Sequence, residues 1–549
     1  MYLKLRELLL GGLFMLFSIA TTAQNYFVEQ ALLFSRQNAG GSARMQAVGG
    51  AQVALGGDYS SGLSNPAGLG FYNRNEFTIT PALSFQSSDA TYRTAELDGN
   101  NDVVYSKFNS SQSNSFFSLP GLSIVFGSNK NDDKAPFLGG TFSISLNRIN
   151  DFNGGFEYKG QNSGTSMIDY FLDVSSGYGI DQFDPAYSFD PEDPNWKGPI
   201  SEGKGDNVNT QAFLGYENYL LGPATANGTT YFTDITGKPL QSELVKTSGS
   251  QNQWSIAYGA NFNDKVFLGA SVGIISTRYE YDKTYKENYL GQAMNCNGCF
   301  NSFELKETRA TTGSGVNLTL GAIYKPVEFF QIGASYVTPT SYQLSDTYTA
   351  SMNTSWNNFD YYGNGKKFLS NEKSSSIDDP VSYSLSTPSR FTFGAAVFYP
   401  KKGFVSVDVE LINYSRATMS SFSEQYYSPN INADSDINPT VSSRFTSATN
   451  LRFGGEYRWK KLRFRGGLNV MGDPYLRKPT DRVNYSMTGL SSVTGGMGYR
   501  NTKFFVDMAI IHTQGSGYYV PYAVASNINP DLNYSNTTTR VMFTLGFPF

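Results

Sequence analysis

The chain has 549 residues, a formal charge of −4 and a single histidine. That balance, with no basic stripe, excludes a nucleic-acid partner, and two cysteines exclude a disulfide-stapled scaffold. Aromatic residues make up 15% of the chain at a mean hydropathy of −0.34, which excludes a helical membrane protein but suits a β-barrel, whose lipid-facing and lumen-facing residues alternate and cancel in the average.

Residues 1–23 read as a secretory signal. Lys4 and Arg6 form a positive start, Leu8 to Ala20 is apolar, and Thr21-Thr22-Ala23 supplies a small-residue cleavage site. The apolar run is shorter than the ~20 residues a spanning helix needs. Residues 24–75 follow as an N-terminal segment. Val28–Phe34 is expected to form a short helix. Ser42–Leu69 is small, glycine-rich and polar, and Asn65-Pro66 is a turn signal, because the residue before proline avoids the helical region. Such a stretch has little to hold it as an independent unit. It is expected to be a plug inside whatever the rest of the chain encloses.

From Glu76 the apolar period becomes two, the signature of strands. Fourteen are expected, over 76–92, 113–128, 137–158, 251–263, 265–285, 303–325, 328–350, 380–399, 403–422, 444–459, 461–476, 489–500, 503–522 and 534–549. Val405, Val407, Val409 and Leu411 share one face of the ninth, while Ser406, Asp408 and Glu410 share the other. Short turns alternate with long loops, and the count is even. The fold class is therefore all-β, a transmembrane antiparallel barrel over 76–549 with an N-terminal hatch in its lumen. Both ends of the sheet lie on the short-turn, periplasmic side. A soluble carbohydrate-binding sandwich would alternate in the same way. Strand length and a last strand ending on Phe549 favour the barrel.

The long extracellular loop, 159–250, carries two helix-like stretches, Ser166–Val174 and Gln211–Leu221. Phe171, Leu172, Phe213, Leu214, Tyr216 and Leu220 are too apolar for a solvated loop; they either cap the barrel mouth or form a surface that captures an apolar ligand. Arg390, Arg452, Arg463 and Arg465 are expected to face the lumen. They either pair with Asp408, Glu410 and Glu456 or hold a carboxylate head group, which suits the planar guanidinium. Cys296 and Cys299, as Cys-Asn-Gly-Cys, are candidates for a tight loop disulfide; without nearby histidine they make an incomplete zinc site, and no metal is expected.

Four stretches resemble the FadL-type outer-membrane transport family. They are Gly50-Ala51 with Asp58 and Asn65-Pro66-Ala67-Gly68-Leu69, then Gly313–Tyr336, Asp408–Ser415 and Arg463–Pro474. The resemblance implies a fourteen-stranded barrel plugged by a hatch, with Asp58, Asn65, Pro66, Ala67 and Gly68 in its gating segment. It implies passive uptake of long-chain fatty acids or other hydrophobic small molecules, without cofactor. Release would follow hatch movement or a lateral opening at a kinked third strand. Asn153, Gly154 and Gly155 stand where such a kink falls, and they could equally form an ordinary turn onto the loop. The barrel assembly machinery, outer-membrane lipid and lipopolysaccharide are the implied partners. A haem receptor and a secretion barrel for protein cargo are the competing functions. An enzyme is not expected, since His512 has no nucleophile elbow beside it.

Overall fold

The computed structural model describes residues 26–97, 103–129, 136–183, 208–225, 228–289, 300–361, 363–422, 433–476, 488–525 and 529–549. The signal segment and the Cys296–Cys299 pair lie outside them.

Eighteen strand segments form one sheet, and where two segments continue each other they make fourteen antiparallel strands. In order these are Glu76–Leu97, Val103–Asn129, Phe137–Asp151 with Gly154–Gln161, Leu240–Phe262, Val266–Asn288, Phe300–Val327, Phe330–Val337 with Ser341–Asp360, Phe368–Ser386 with Arg390–Tyr399, Gly403–Asn413 with Thr418–Ser420, Ser447–Trp459, Leu462–Met471, Leu490–Arg500, Phe505–Tyr519 and Asp531–Pro548. Glu76 lies opposite Val125 of the second strand and Pro548 of the last, so the sheet closes into a barrel. Closure leaves no sheet edge at the seam, which lipid requires because it cannot solvate unpaired backbone groups.

The outward side chains explain the alternation. Val266, Leu268, Val272 and Ile274 on the fifth strand are exposed, as are Val316, Leu318 and Leu320 on the sixth and Val405, Val407 and Leu411 on the ninth. Such an apolar band around a closed barrel is a lipid-facing belt. Asp408 and Glu410, between those valines, are buried within.

Several strands outrun the sequence expectation at the loop end. The second starts at Val103 rather than 113, the fourth at Leu240 rather than 251, and the eighth at Phe368 rather than 380. The seventh runs on to Asp360. These extensions are rich in Ser, Thr and Asn and lie beyond the belt, so they lack the apolar side that marks a strand in the sequence. The long loop is accordingly 162–239. The Lys325-Pro326 dipeptide ends a strand, and the turn itself is Glu328-Phe329.

Residues 26–75 lie within the lumen. Residues 26–35 are helical, one turn longer than expected, and the chain then descends through helices Ala43–Ala47 and Ser61–Ser64 and a 3-10 turn, Pro66–Phe71. It leaves beside the termini of the sheet, where Phe549 N donates to Asn75 O at 3.2 Å.

Candidate functional site: the lumen from cap to hatch

The lower lumen holds the hatch. Asp58 organises it: Ser42 Oγ donates to its Oδ2 at 2.8 Å and Ser60 N to its Oδ1 at 3.1 Å. Asn65 braces the following turn. Its Nδ2 donates to Val53 O at 2.7 Å and to Ala322 O of the wall at 3.2 Å, while its Oδ1 accepts from Ala67 N at 3.2 Å. Pro66 begins the 3-10 turn, where it needs no N–H, and Ala67 and Gly68 are buried in it.

The wall grips this segment through its backbone. Asp408 Oδ2 accepts from Gln52 N at 2.7 Å and Val53 N at 2.9 Å. Four inward wall glycines let the hatch chain lie directly against the sheet. A Cβ on Gly269 would stand 2.3 Å from Pro66 C, on Gly333 2.3 Å from Val53 O, on Gly454 2.1 Å from Val48 O and on Gly467 2.3 Å from Gly49 N. No side chain fits at these distances. These glycines are not among the residues the sequence marks as functional. The available signal was a glycine at an inward position of a long strand, which marks close backbone approach.

The four arginines are placed unequally. Arg465 is fully buried between Glu456 at 2.8 Å and Asp507 at 2.6 Å. Arg452 pairs with Glu410 at 3.0 Å. Arg44 of the hatch adds a third cation near Glu456, at 3.7 Å; burial opposes its charge, but Glu456, Asp58 and Asp507 outweigh that and hold its pKa above the ordinary value. Arg463 sits at the short-turn rim, donating to Lys460 O and Leu462 O, each at 2.9 Å. Arg390 is half-buried and, among the described residues, has no ion pair; it acts on Glu410 and Tyr342 only at longer range. The structure thus pairs Arg452 and Arg465 with carboxylates and, among the described residues, leaves Arg390 and Arg463 without an ion pair.

Above the hatch the lumen is aromatic and polar together, with Lys283 buried between Glu243 at 3.4 Å and Glu307 at 3.2 Å. Helix 26–35 buries Phe27, Val28 and Phe34 against Tyr279, Tyr342, Leu344 and Tyr383 of the wall. Tyr26 OH donates to Asp346 Oδ2 at 3.0 Å, and Arg309 stacks over the Tyr26 ring at 4.3 Å.

The long loop lies across the mouth. Helices Met167–Ser175 and Thr210–Glu217 bury Phe171, Phe213, Leu214 and Tyr216, with Leu172 partly covered, and Leu220 just past the second helix joins them against Phe303, Leu305 and Met352 of the strands. The first helix starts in a capping box, Ser166 with Asp169. Burial pushes the Asp169 carboxyl above its usual range, although the Ser166 N–H opposes this. Glu287 of the fifth strand anchors that start. It is fully buried and, among the described residues, has no ion pair, yet it accepts from Ser166 Oγ, Met167 N, Gln241 Nε2, Tyr285 OH and Tyr289 OH, all within 2.6–2.7 Å. Five donors offset part of the cost of burying the carboxylate. Nothing in the one-dimensional pattern marks Glu287. Beside this cap, Tyr219, Phe232, Trp356, Phe359 and Tyr361 line a shallow aromatic pocket.

The side wall is interrupted at the third strand. Its ladder with the second strand runs from Asn129–Gly139 to Gly121–Asn147 and stops there. That is one residue beyond Leu146, whose partner Trp254 is the outermost belt residue of the fourth strand. The strand breaks at Phe152-Asn153 and resumes at Gly154. Asn153 Nδ2 donates to Asp151 Oδ1 at 2.6 Å, and Gly155 has φ +148°, with room for no Cβ against Val245 O. Residues 154–161 then pair with the fourth strand; among the described residues they make no ladder with the second. They turn inward instead. Tyr158 stacks on Tyr92 at 4.3 Å and Phe156 on Tyr534 at 4.8 Å. Asn153, Gly154 and Gly155 therefore mark a kink within the strand rather than a turn onto the loop, which begins only after Gln161. The second strand is left with an unpaired, largely exposed edge, where Phe117 is 71% exposed.

No protein-family model matches the chain, and no curated protein matches it. Among solved structures it is similar to a FadL homologue of Pseudomonas aeruginosa, at 12% identity and TM-score 0.49 over 93% of this chain and 98% of that one. It is similar to the toluene transporter TodX of Pseudomonas putida, at 14% identity and TM-score 0.48 over 93% and 99%. It is also similar to the CymD monoaromatic hydrocarbon channel, at 12% identity and TM-score 0.43 over 93% and 98%.

Proposed function

We propose that this protein is an outer-membrane passage for hydrophobic small molecules, long-chain fatty acids among them. An apolar ligand is captured at the aromatic pocket beside the cap and enters past Phe171, Leu172, Phe213, Leu214, Tyr216 and Leu220 when the cap loosens. It leaves sideways where the second and third strands part. The hatch closes the periplasmic end, with Asp58 and Asn65–Gly68 setting how firmly. Transfer of apolar surface drives the flow, so no cofactor is needed.

One observation carries the reading. The backbone ladder of an otherwise closed barrel is interrupted at the outer edge of its belt, and the inward-turned strand packs Phe156 and Tyr158 behind the break. A water-filled porin needs no such aromatic lining, and protein cargo would need a wider route than a gap beside one strand.

The test is uptake of a labelled long-chain fatty acid into proteoliposomes. Phe108 of the second strand packs against the cluster of Tyr92, Phe156 and Tyr158, so Phe108→Asp with Phe156→Asp places charge at the break and is expected to lower uptake at least about tenfold, since burying an unpaired charge is costly. Asn65→Ala in the hatch is expected to raise ion leak while leaving most uptake intact. If the gap variant transports normally and the hatch variant does not, the route is axial through the hatch, and the lateral reading fails.

A further inference from the structure

The short-turn rim divides into two electrostatically unlike arcs. Around the turns that join strands eight to thirteen, residues 397–405, 455–465 and 498–507 hold nine Lys or Arg against two acids, Glu456 and Asp507, both buried. On the arc of strands four to seven, Asp264 and Glu328 match Lys265 and Lys325. The whole chain is acidic, so the basic arc is a local feature.

The arc is continuous. Arg458 N donates to Lys402 O at 2.6 Å and Arg500 N to Lys461 O at 3.1 Å, which ties three successive turns into one ledge. Lys401, Lys402, Lys460, Lys461 and Lys503 are exposed, and among the described residues none is in an ion pair. Directly above them the lipid-facing surface begins with Tyr399, 70% exposed, and Trp459, 53% exposed. Lys460 Nζ lies 5.7 Å from the Trp459 ring.

We propose that this ledge binds the anionic headgroups of phospholipids in the periplasm-facing leaflet. Two facts select lipid over a soluble acidic partner. The cations are continuous with a surface that already faces acyl chains, and exposed Trp and Tyr at that boundary are the usual neighbours of headgroups. Clustered basic residues at a bilayer surface attract anionic lipid, and the attraction falls within a Debye length. The consequence is a barrel with one lipid-selective side, which fixes which sector meets anionic lipid. The inference rests on the barrel spanning a membrane and is independent of what it transports.

The experiment measures selectivity for spin-labelled phosphatidylglycerol over phosphatidylcholine around the full chain in neutral bilayers. The native protein is expected to prefer the anionic lipid at least about threefold at low salt and to lose that preference in high salt. K401Q/K402Q/K460Q/K461Q/K503Q, all on exposed turns, is expected to bring the ratio near one. K265Q/K325Q, on the other arc, is expected to leave it unchanged. A ratio near one for the native chain overturns the proposal, including where the ledge captures a soluble acidic protein. So does equal loss in both variants, which reports net charge rather than a site. Fatty-acid uptake in the same vesicles is read separately: loss of uptake with preserved selectivity sinks the transport reading alone.

Discussion

The hatch and the cap both close the lumen, but they are held by opposite means. The hatch is small and polar, and it is bound by its backbone: to Asp408, to Ala322 through Asn65, and to wall glycines that a Cβ would displace. The cap is aromatic and bound by side chains: Phe171, Phe213 and Leu220 against the upper strands. Backbone contact at van der Waals distance has almost no tolerance, because a packed interior does not deform continuously. Side-chain packing can be loosened by degrees, and another apolar molecule can take the place of a displaced ring. On the proposed route, the lower closure stays in place and the upper one exchanges contacts with an apolar visitor.

The largest expected break of this contrast is at a wall glycine. Gly454→Val puts carbon where Val48 O stands, and overpacking against backbone costs about 3 kcal/mol or more. The barrel is expected to close while the hatch is expelled, seen as a large rise in planar-bilayer conductance and in protease cleavage within 42–69. Gly466→Val, beside Gly467 but with nothing nearer its Cβ than 3.9 Å, is expected to be silent. Equal effects from both would remove the argument from close approach. Next comes Phe171→Ala, costing about 3 kcal/mol. That loss is expected to fall on the cap alone, as faster hydrogen exchange over 167–175 with unchanged heat unfolding of the barrel. Smaller again is Asp408→Ala, which strands the Gln52 and Val53 N–H groups at about 2 kcal/mol. It is expected to raise conductance less than Gly454→Val does.

The same contrast governs what the sequence disclosed. The barrel was legible because lipid imposes a strict period of two on every belt segment, as in Val405, Val407 and Leu411. The hatch showed itself through Asn65-Pro66 and its lack of apolar mass. Strand ends were not legible, because Ser and Asn at 103–112 and 368–379 answer to water outside and a crowded lumen inside. The roles of the arginines depended on partners far away in sequence: Arg465 meets Asp507 across 42 positions, and no spacing rule reports that. Glu287 and the glycine contacts are set by what the loop and hatch bring to them, so they exist only in three dimensions.

The smallest predicted effect concerns Arg390, a half-buried inward arginine without an ion pair among the described residues. If it receives a carboxylate on its way through the lumen, Arg390→Gln should weaken that contact while keeping size and polarity. A charge-assisted hydrogen bond is worth about 1.5–3 kcal/mol, and the site is only half-buried, so the low end applies. The half-saturating concentration for uptake of a long-chain fatty acid is then expected to rise about tenfold. Uptake of the corresponding methyl ester is expected to change by less than about twofold, because the ester offers no charge. Parallel loss for both ligands would mean that Arg390 shapes the lumen through Glu410 and Tyr342 and holds no head group. Equal uptake by native and variant chains would place the carboxylate elsewhere and leave the aromatic route without a charged station between the cap and the gap.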